Sequence, residues 1–164
     1  MYHKHFLGAV LCKSRFLSPS YARIALSAKE YLRKSCDEYL QVDPSGEIVV
    51  LSQSVPWSQH LFELEKEQNI QPSLKYIIFG DGSFRIRSIP VDNGSFVCRT
   101  KELLWFSRLF LPRSWAGLSG EVLENACGVK GAVFVHSTGF IGGHKTKEGA
   151  IMMARKSLEL GKLS

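Results

Sequence analysis

Residues 131–160 read GAVFVHSTGFIGGHKTKEGAIMMARKSLEL, and the rest of the chain is read around them. The apolar run Ala132–Val135 predicts a strand from Gly131 to His136, with a polar switch at His136, Ser137 and Thr138. A short apolar pair, Phe140 and Ile141, leads into Gly142-Gly143-His144-Lys145-Thr146, which reads as a glycine-rich turn. Helical spacing follows from Glu148 to Leu160. Strand, glycine turn and helix, in that order, build anion sites. Glycines let backbone N–H groups approach a ligand, and a helix start adds partial positive charge. Gly142, Gly143, His144, Lys145 and Thr146 are therefore candidate phosphate-binding residues, with a histidine and a lysine to neutralise the charge. A second reading keeps the same turn but makes Thr146 an ordinary helix cap. The spacing is not that of a P-loop. His136 and Ser137 end the strand beside the turn. They are candidates for ligand contact or proton transfer, or they satisfy backbone groups at the strand end.

Working outward, Ser18-Pro19-Ser20 marks a helix start, and helical spacing continues to Leu40. Asp43-Pro44-Ser45-Gly46 is a turn, and Glu47–Leu51 a short strand. Pro56 opens a helix with Trp57, Leu61 and Leu64 on one face. Leu74–Phe79 and Phe84–Pro90 are strands joined at Gly80-Asp81-Gly82-Ser83, an antiparallel hairpin with one buried face. Arg85 and Arg87 share the other face and are either phosphate contacts or a solvated polar face; Arg87 joins the candidate substrate-binding set. Gly94–Val97 is a candidate edge strand. Leu118–Ala126 reads as a helix ended by Gly128. The irregular alternation around a central hairpin predicts an α+β fold: a mixed or antiparallel sheet of four to five strands with helices packed on it.

The chain has 164 residues, 45% hydrophobic and 22% charged, with a formal net charge of +6. That is one domain's worth of core, and the positive balance suits a polyanionic partner. Four cysteines without C-x-x-C spacing argue against zinc and for a reducing compartment. No apolar run approaches the length of a membrane span, so no membrane partner is expected. The run Phe6–Cys12, followed by Lys13 and Arg15 without a small-residue cleavage site, reads as the broken edge of something longer. No paired carboxylates fit a metal centre, no D-H-H, H-x-E or H-x-x-x-H occurs, and there is no serine nucleophile elbow. No catalytic residue and no metal site is assigned to this chain from the residues themselves.

Five blocks occur in order: VDPSGEIVVL (42–51), PWSQHLFELE (56–65), FRIRSIPV (84–91), LPRSWAGLSGE (111–121) and GVKGAVFVHSTGFIGGHKTKEGAIMMAR (128–155). Together they resemble the C-terminal half of the melanocyte-proliferating-gene (Myg) family, whose members resemble DHH-type phosphoesterases. The resemblance implies a metal-dependent 3′–5′ RNA exonuclease of nucleus, nucleolus, mitochondrion or cytoplasm. It implies that Mn²⁺ or Mg²⁺ is held by an Asp/His-bearing N-terminal half in the full-length protein only. It also implies that the region resembled here, with its Gly142-Gly143-His144 loop, closes over RNA or a nucleotide. On this reading residues 1–17 are an irregular remnant and residues 18–164 the C-terminal domain, truncated from its metal-binding partner domain. Thr100–Phe110 (TKELLWFSRLF) looks like an insertion, because the family runs almost directly from Arg99 to Leu111-Pro112. The alternative is a non-catalytic module that binds nucleic acid or a partner without turnover.

Overall fold

The computed structural model describes residues 42–51, 55–68, 74–90 and 109–161. The helix expected up to Leu40, the edge strand at Gly94–Val97, the remnant at 1–17 and most of the 100–110 insertion lie outside them. The described elements are strand β1 (Ile48–Val50), helix α1 (Trp57–Gln68), strands β2 (Tyr76–Asp81) and β3 (Ser83–Ser88), a 3-10 turn at Arg113–Trp115, helix α2 (Gly120–Cys127), strands β4 (Ala132–Val135) and β5 (Ile141–His144), and helix α3 (Lys147–Gly161).

The strands form one five-stranded sheet in the order β1-β2-β3-β5-β4. Strand β1 is parallel to β2, and the other three pairings are antiparallel. The sheet is mixed and the fold is α+β. Strand alternation divides the side chains between two cores. Ile48, Tyr76, Ile78, Ile86, Ala132 and Val135 face one way and pack on Leu123 of α2 and on Ala150, Met153, Ala154 and Leu158 of α3. Val49, Leu51, Ile77 and Ile89 face the other way, onto Trp57, Leu61 and Leu64 of α1. Helix α1 thus serves the β1–β2 side of its face. Farther across, the register places Arg85 opposite Gly143, Arg87 opposite Ile141, and Phe134 opposite Gly143.

Three local expectations change. The β2–β3 hairpin is tighter than a four-residue turn: pairing runs out to Asp81 and Ser83, leaving Gly82 at φ +74 between them. Helix α2 starts at Gly120 rather than Leu118, because Leu118 and Ser119 are used along the edge of β4. Val135 donates its N–H to the Leu118 carbonyl, and Ser119 bridges Phe134. That pairing covers an edge which would otherwise present unpaired backbone groups. The helix does end at Gly128, in the left-handed region at φ +63.

The third change concerns the glycines. Gly142, Gly143 and His144 are not a turn; they are β5, held between β3 and β4. The reversal lies earlier, where Gly139, at φ +76, donates to the His136 carbonyl and His136 donates to Ile141. The reason is steric. A Cβ on Gly142 would stand 2.7 Å from Leu111 Cδ1, and one on Gly143 2.7 Å from Phe134 Cε1. Both glycines let neighbouring side chains lie across a paired strand, which is what interior strand glycines often mark.

Candidate functional site

The hairpin β4–β5 and the start of α3 carry most of the candidate residues, and the structure separates them into two ends. Strand β5 has four residues, so its ends stand about 10 Å apart at a strand rise of ~3.3 Å per residue.

At the α3 end, His144 is 2% exposed. Its Nδ1 accepts the Thr146 backbone N–H at 2.9 Å, and its Nε2 lies 3.0 Å from the Lys130 carbonyl. An acceptor role for Nδ1 puts the proton of the neutral ring on Nε2, where it donates to that carbonyl. The ring sits between two glycines. A Cβ on Gly149 would fall 1.8 Å from its Cε1, and a Cβ on Gly131 would fall 3.1 Å from the same atom. Thr146 is exposed, and its Oγ1 accepts the Gly149 N–H at 3.2 Å, so it caps α3 as the plainer reading of the sequence had it. Lys145 is exposed and uses its own N–H on the Gly131 carbonyl. Each ring nitrogen of His144 is thus occupied by backbone. Lys145 and Thr146 are the candidates at this end with exposed side chains.

At the opposite end, His136, Ser137, Thr138 and Arg87 are all exposed. His136 Nδ1 accepts the Thr138 N–H at 3.2 Å and lies 2.9 Å from Thr138 Oγ1. By the same argument the neutral ring carries its proton on Nε2. Among the described residues that nitrogen has no partner. The His136 ring meets Phe140 edge to face at 4.8 Å. The Arg87 guanidinium stands 5.6 Å from the same Phe140 ring and 5.8 Å from Trp57. One aromatic side chain therefore gathers His136 and Arg87, with Ser137 in the adjoining turn. No carboxylate meets Arg87 among the described residues, so its donors are available to an anion.

Sequence reasoning missed the residues that lie between the two ends. A bulge in β4 opposite β5 at Ala132/Phe134 breaks simple alternation. It sends Ala132 into the helix-side core and lays Phe134 beside Gly143. Arg85 stands 5.1 Å from the Phe134 ring. Regular strand alternation would have put Phe134 with Ala132, and only the pairing shows otherwise. Among the described residues no three His, Cys, Asp or Glu side chains converge to hold a metal. No described helix is long and apolar enough to cross a membrane.

The family model MYG1_exonuc, described as an uncharacterised protein family (UPF0160), matches residues 3–158. The chain belongs to this family. The MYG1 protein of Saccharomyces cerevisiae is 37% identical over 155 residues, covering 93% of this chain and 42% of that protein. The MYG1 exonuclease of Homo sapiens is 40% identical over 141 residues, covering 84% of this chain and 35% of that protein. A Schizosaccharomyces pombe MYG1 protein is 42% identical over 113 residues, covering 68% and 32%. The chain thus spans about two fifths or less of the length of these relatives. No solved structure matches it.

Two blocks of the family resemblance, 42–51 and 128–155, meet directly in the fold. Arg155 of α3 donates from Nε to Asp43 Oδ2 and from Nη2 to the Val42 carbonyl. Asp43 is 5% exposed, and its Oδ1 accepts the Ser45 N–H at 3.0 Å. Burial alone would raise the carboxyl pKa. Hydrogen bonds from Ser45 and Arg155, with the charge of Arg155, outweigh it and hold the pKa below the ordinary value. A second tie, Tyr76 hydroxyl to Ser157 Oγ at 2.7 Å and to the Phe110 carbonyl at 3.2 Å, fastens β2 to α3. Phe110 and Leu109 are the described end of the supposed insertion, and Leu109 packs on the helix-side core. These ties hold α3 and the sheet as one support for the hairpin.

Proposed function

We propose that this chain is the part of a MYG1-family exonuclease that binds the phosphate of an RNA strand or terminal nucleotide. The observation that carries this reading is the exposed corner formed by Arg87, His136 and Ser137. Its guanidinium meets rings but no carboxylate, and its imidazole Nε2 has no hydrogen-bond partner, among the described residues. Arg87 supplies charge and forked donors to non-bridging oxygens. His136 donates from Nε2, and the Ser137 hydroxyl, exposed in the adjoining turn, is a further donor. The formal charge of +6 favours approach of a polyanion over the whole chain.

The histidine in contact with ligand is, on this reading, His136 rather than His144. His144 instead holds the junction of β5 and α3 rigid, and Lys145 stands where it can meet a second phosphate. Cleavage belongs to a divalent metal, Mn²⁺ or Mg²⁺. When bound, such an ion supplies an activated water and a Lewis acid for phosphodiester hydrolysis. The described residues do not fit that role, and a full-length family member would supply the ligands from its remaining portion. This chain alone is expected to bind without turnover.

The test is fluorescence anisotropy of a labelled single-stranded oligoribonucleotide with the 164-residue chain, across a salt series. Arg87→Gln should weaken binding and lower the slope of log K against log[salt] by about 0.7, the change expected when one cation no longer neutralises a phosphate of a single strand. His136→Ala should weaken binding while leaving the melting curve in place. Affinity and slope unchanged in both variants would remove the corner from the binding surface.

A further inference from the structure

We propose that the strip beside this corner, Arg85 and Phe134 lying over Gly143, is a stacking shelf for a nucleobase. The inference rests on the phosphate-binding reading and extends it from the backbone of the nucleic acid to its bases.

The shelf is built by a missing side chain. Arg85 of β3, Gly143 of β5 and Phe134 of β4 are partners across three adjacent strands, so they form one row on the sheet face that carries Arg87. A Cβ at Gly143 would stand 2.7 Å from Phe134 Cε1 and 2.8 Å from Arg85 Nη1. An edge of the ring and one guanidinium nitrogen therefore both reach over bare backbone, and the guanidinium stands over the ring at 5.1 Å as a cation–π pair. Both are half-buried, and no carboxylate meets Arg85 among the described residues. A second guanidinium–ring contact, without the glycine, lies one pleat along the strand, where Arg87 stands over Phe140 at 5.6 Å. Residues 85 and 87 are separated by about 7 Å along β3, comparable to one nucleotide of an extended strand.

Aromatic rings joined to guanidinium groups that no described carboxylate meets fit one class of ligand well. Bases of single-stranded nucleic acid stack on aromatic rings and on guanidinium planes, and their phosphates need the positive charge. A protein partner would be expected to bring carboxylates to the arginines and apolar side chains to the rings. The net charge of the chain and the adjoining corner of Arg87 and His136 on Phe140 favour the nucleic acid. With a phosphate at Arg87 and His136, a neighbouring base falls on the Arg85–Phe134 pair.

The experiment compares two labelled probes on the 164-residue chain: an oligouridylate, and a strand of the same length and charge whose sugars carry no bases. The wild-type chain should bind the base-bearing probe roughly tenfold more tightly, the order of one stacked base. Phe134→Leu should remove most of that ratio while leaving affinity for the base-free probe unchanged. Phe134→Tyr, which keeps the π face, should retain the ratio. Equal wild-type affinities for the two probes would overturn the shelf while leaving the phosphate corner standing. So would a Phe134→Leu variant that melts normally yet keeps the full ratio. Failure of the wild-type chain to bind either probe would overturn the phosphate reading and the shelf together. The wild-type ratio requires no variant to fold.

Discussion

His136 and His144 stand eight residues apart on one β-hairpin, and the fold uses them in opposite ways. Both accept a backbone N–H from the residue two positions on, Thr138 in one case and Thr146 in the other, through Nδ1. The difference lies at Nε2. In His144 it is closed onto the Lys130 carbonyl, in a slot that Gly131 and Gly149 leave just wide enough for the ring. In His136 it has no partner among the described residues, and it shares the Phe140 ring with Arg87. The same local motif, an imidazole taking the N–H of residue i+2, therefore serves as a bolt where a strand must turn into a buried helix. Where a strand ends at the surface it presents a donor.

The closed end should break most severely when its space is filled. Gly149→Ala places a methyl on the His144 ring and should cost about 3 kcal/mol or more, the upper range for overpacking, measured by urea denaturation. His144→Ala should cost about 2–3 kcal/mol, through an unsatisfied Lys130 carbonyl and Thr146 N–H and a small void. The double variant should be clearly less destabilised than the sum of the two single variants, because the new methyl then occupies the space of the missing ring. Strict additivity would mean that the two residues do not share that space.

A smaller effect is expected away from the hairpin. Tyr76→Phe strips the hydroxyl that meets Ser157 and Phe110, and should cost about 1–2 kcal/mol. An unchanged denaturation midpoint would show that the tie from β2 to α3 contributes nothing.

Asp43 gives a pH signature rather than a fixed cost. Its folded pKa lies below its ordinary value of 3.8. The stabilisation from its ionised form is therefore fully present above that value, and it fades as pH falls through the folded pKa. Asp43→Asn lacks this stabilisation at every pH. The gap in melting temperature between wild type and Asp43→Asn should be widest near neutrality and narrow below about pH 4. A gap that stays constant with pH would detach the Arg155 contact from the charge of Asp43. At the open end, His136→Ala should alter stability by no more than about 0.5 kcal/mol, and a larger effect would make His136 a structural residue like His144.

Much of the architecture was legible in the chain. The short apolar run EIVVL, the glycine-centred hairpin before Phe84 and the helical spacing after Glu148 each mark an element correctly to within a few residues. The cap at Thr146 and the stop at Gly128 follow from ordinary helix chemistry. The candidate residues could be named from the chain, but not how the fold groups them. Gly142-Gly143 carries the composition of a turn, and nothing local says that Leu111 and Phe134, distant or misaligned in sequence, need those positions empty. The bulge at Ala132/Phe134 hides Phe134 in the same way. Burial of His144 depends on Gly131 and Gly149, which lie on different elements. Contacts of this kind are properties of the pairing register, and a reading of periodicity sees them only after the strands have been placed.

The two ends can be told apart in one titration. Long-range ¹H–¹⁵N correlation spectra report the tautomer and surroundings of each imidazole, and single-stranded oligoribonucleotide can be added stepwise to the labelled chain. His144 should show the Nε2–H tautomer throughout, with unmoved resonances, while the His136 resonances shift in proportion to bound ligand. A saturable shift at His144 with His136 silent would contradict the assignment of bolt and donor, and would return the ligand to the glycine-flanked end of β5.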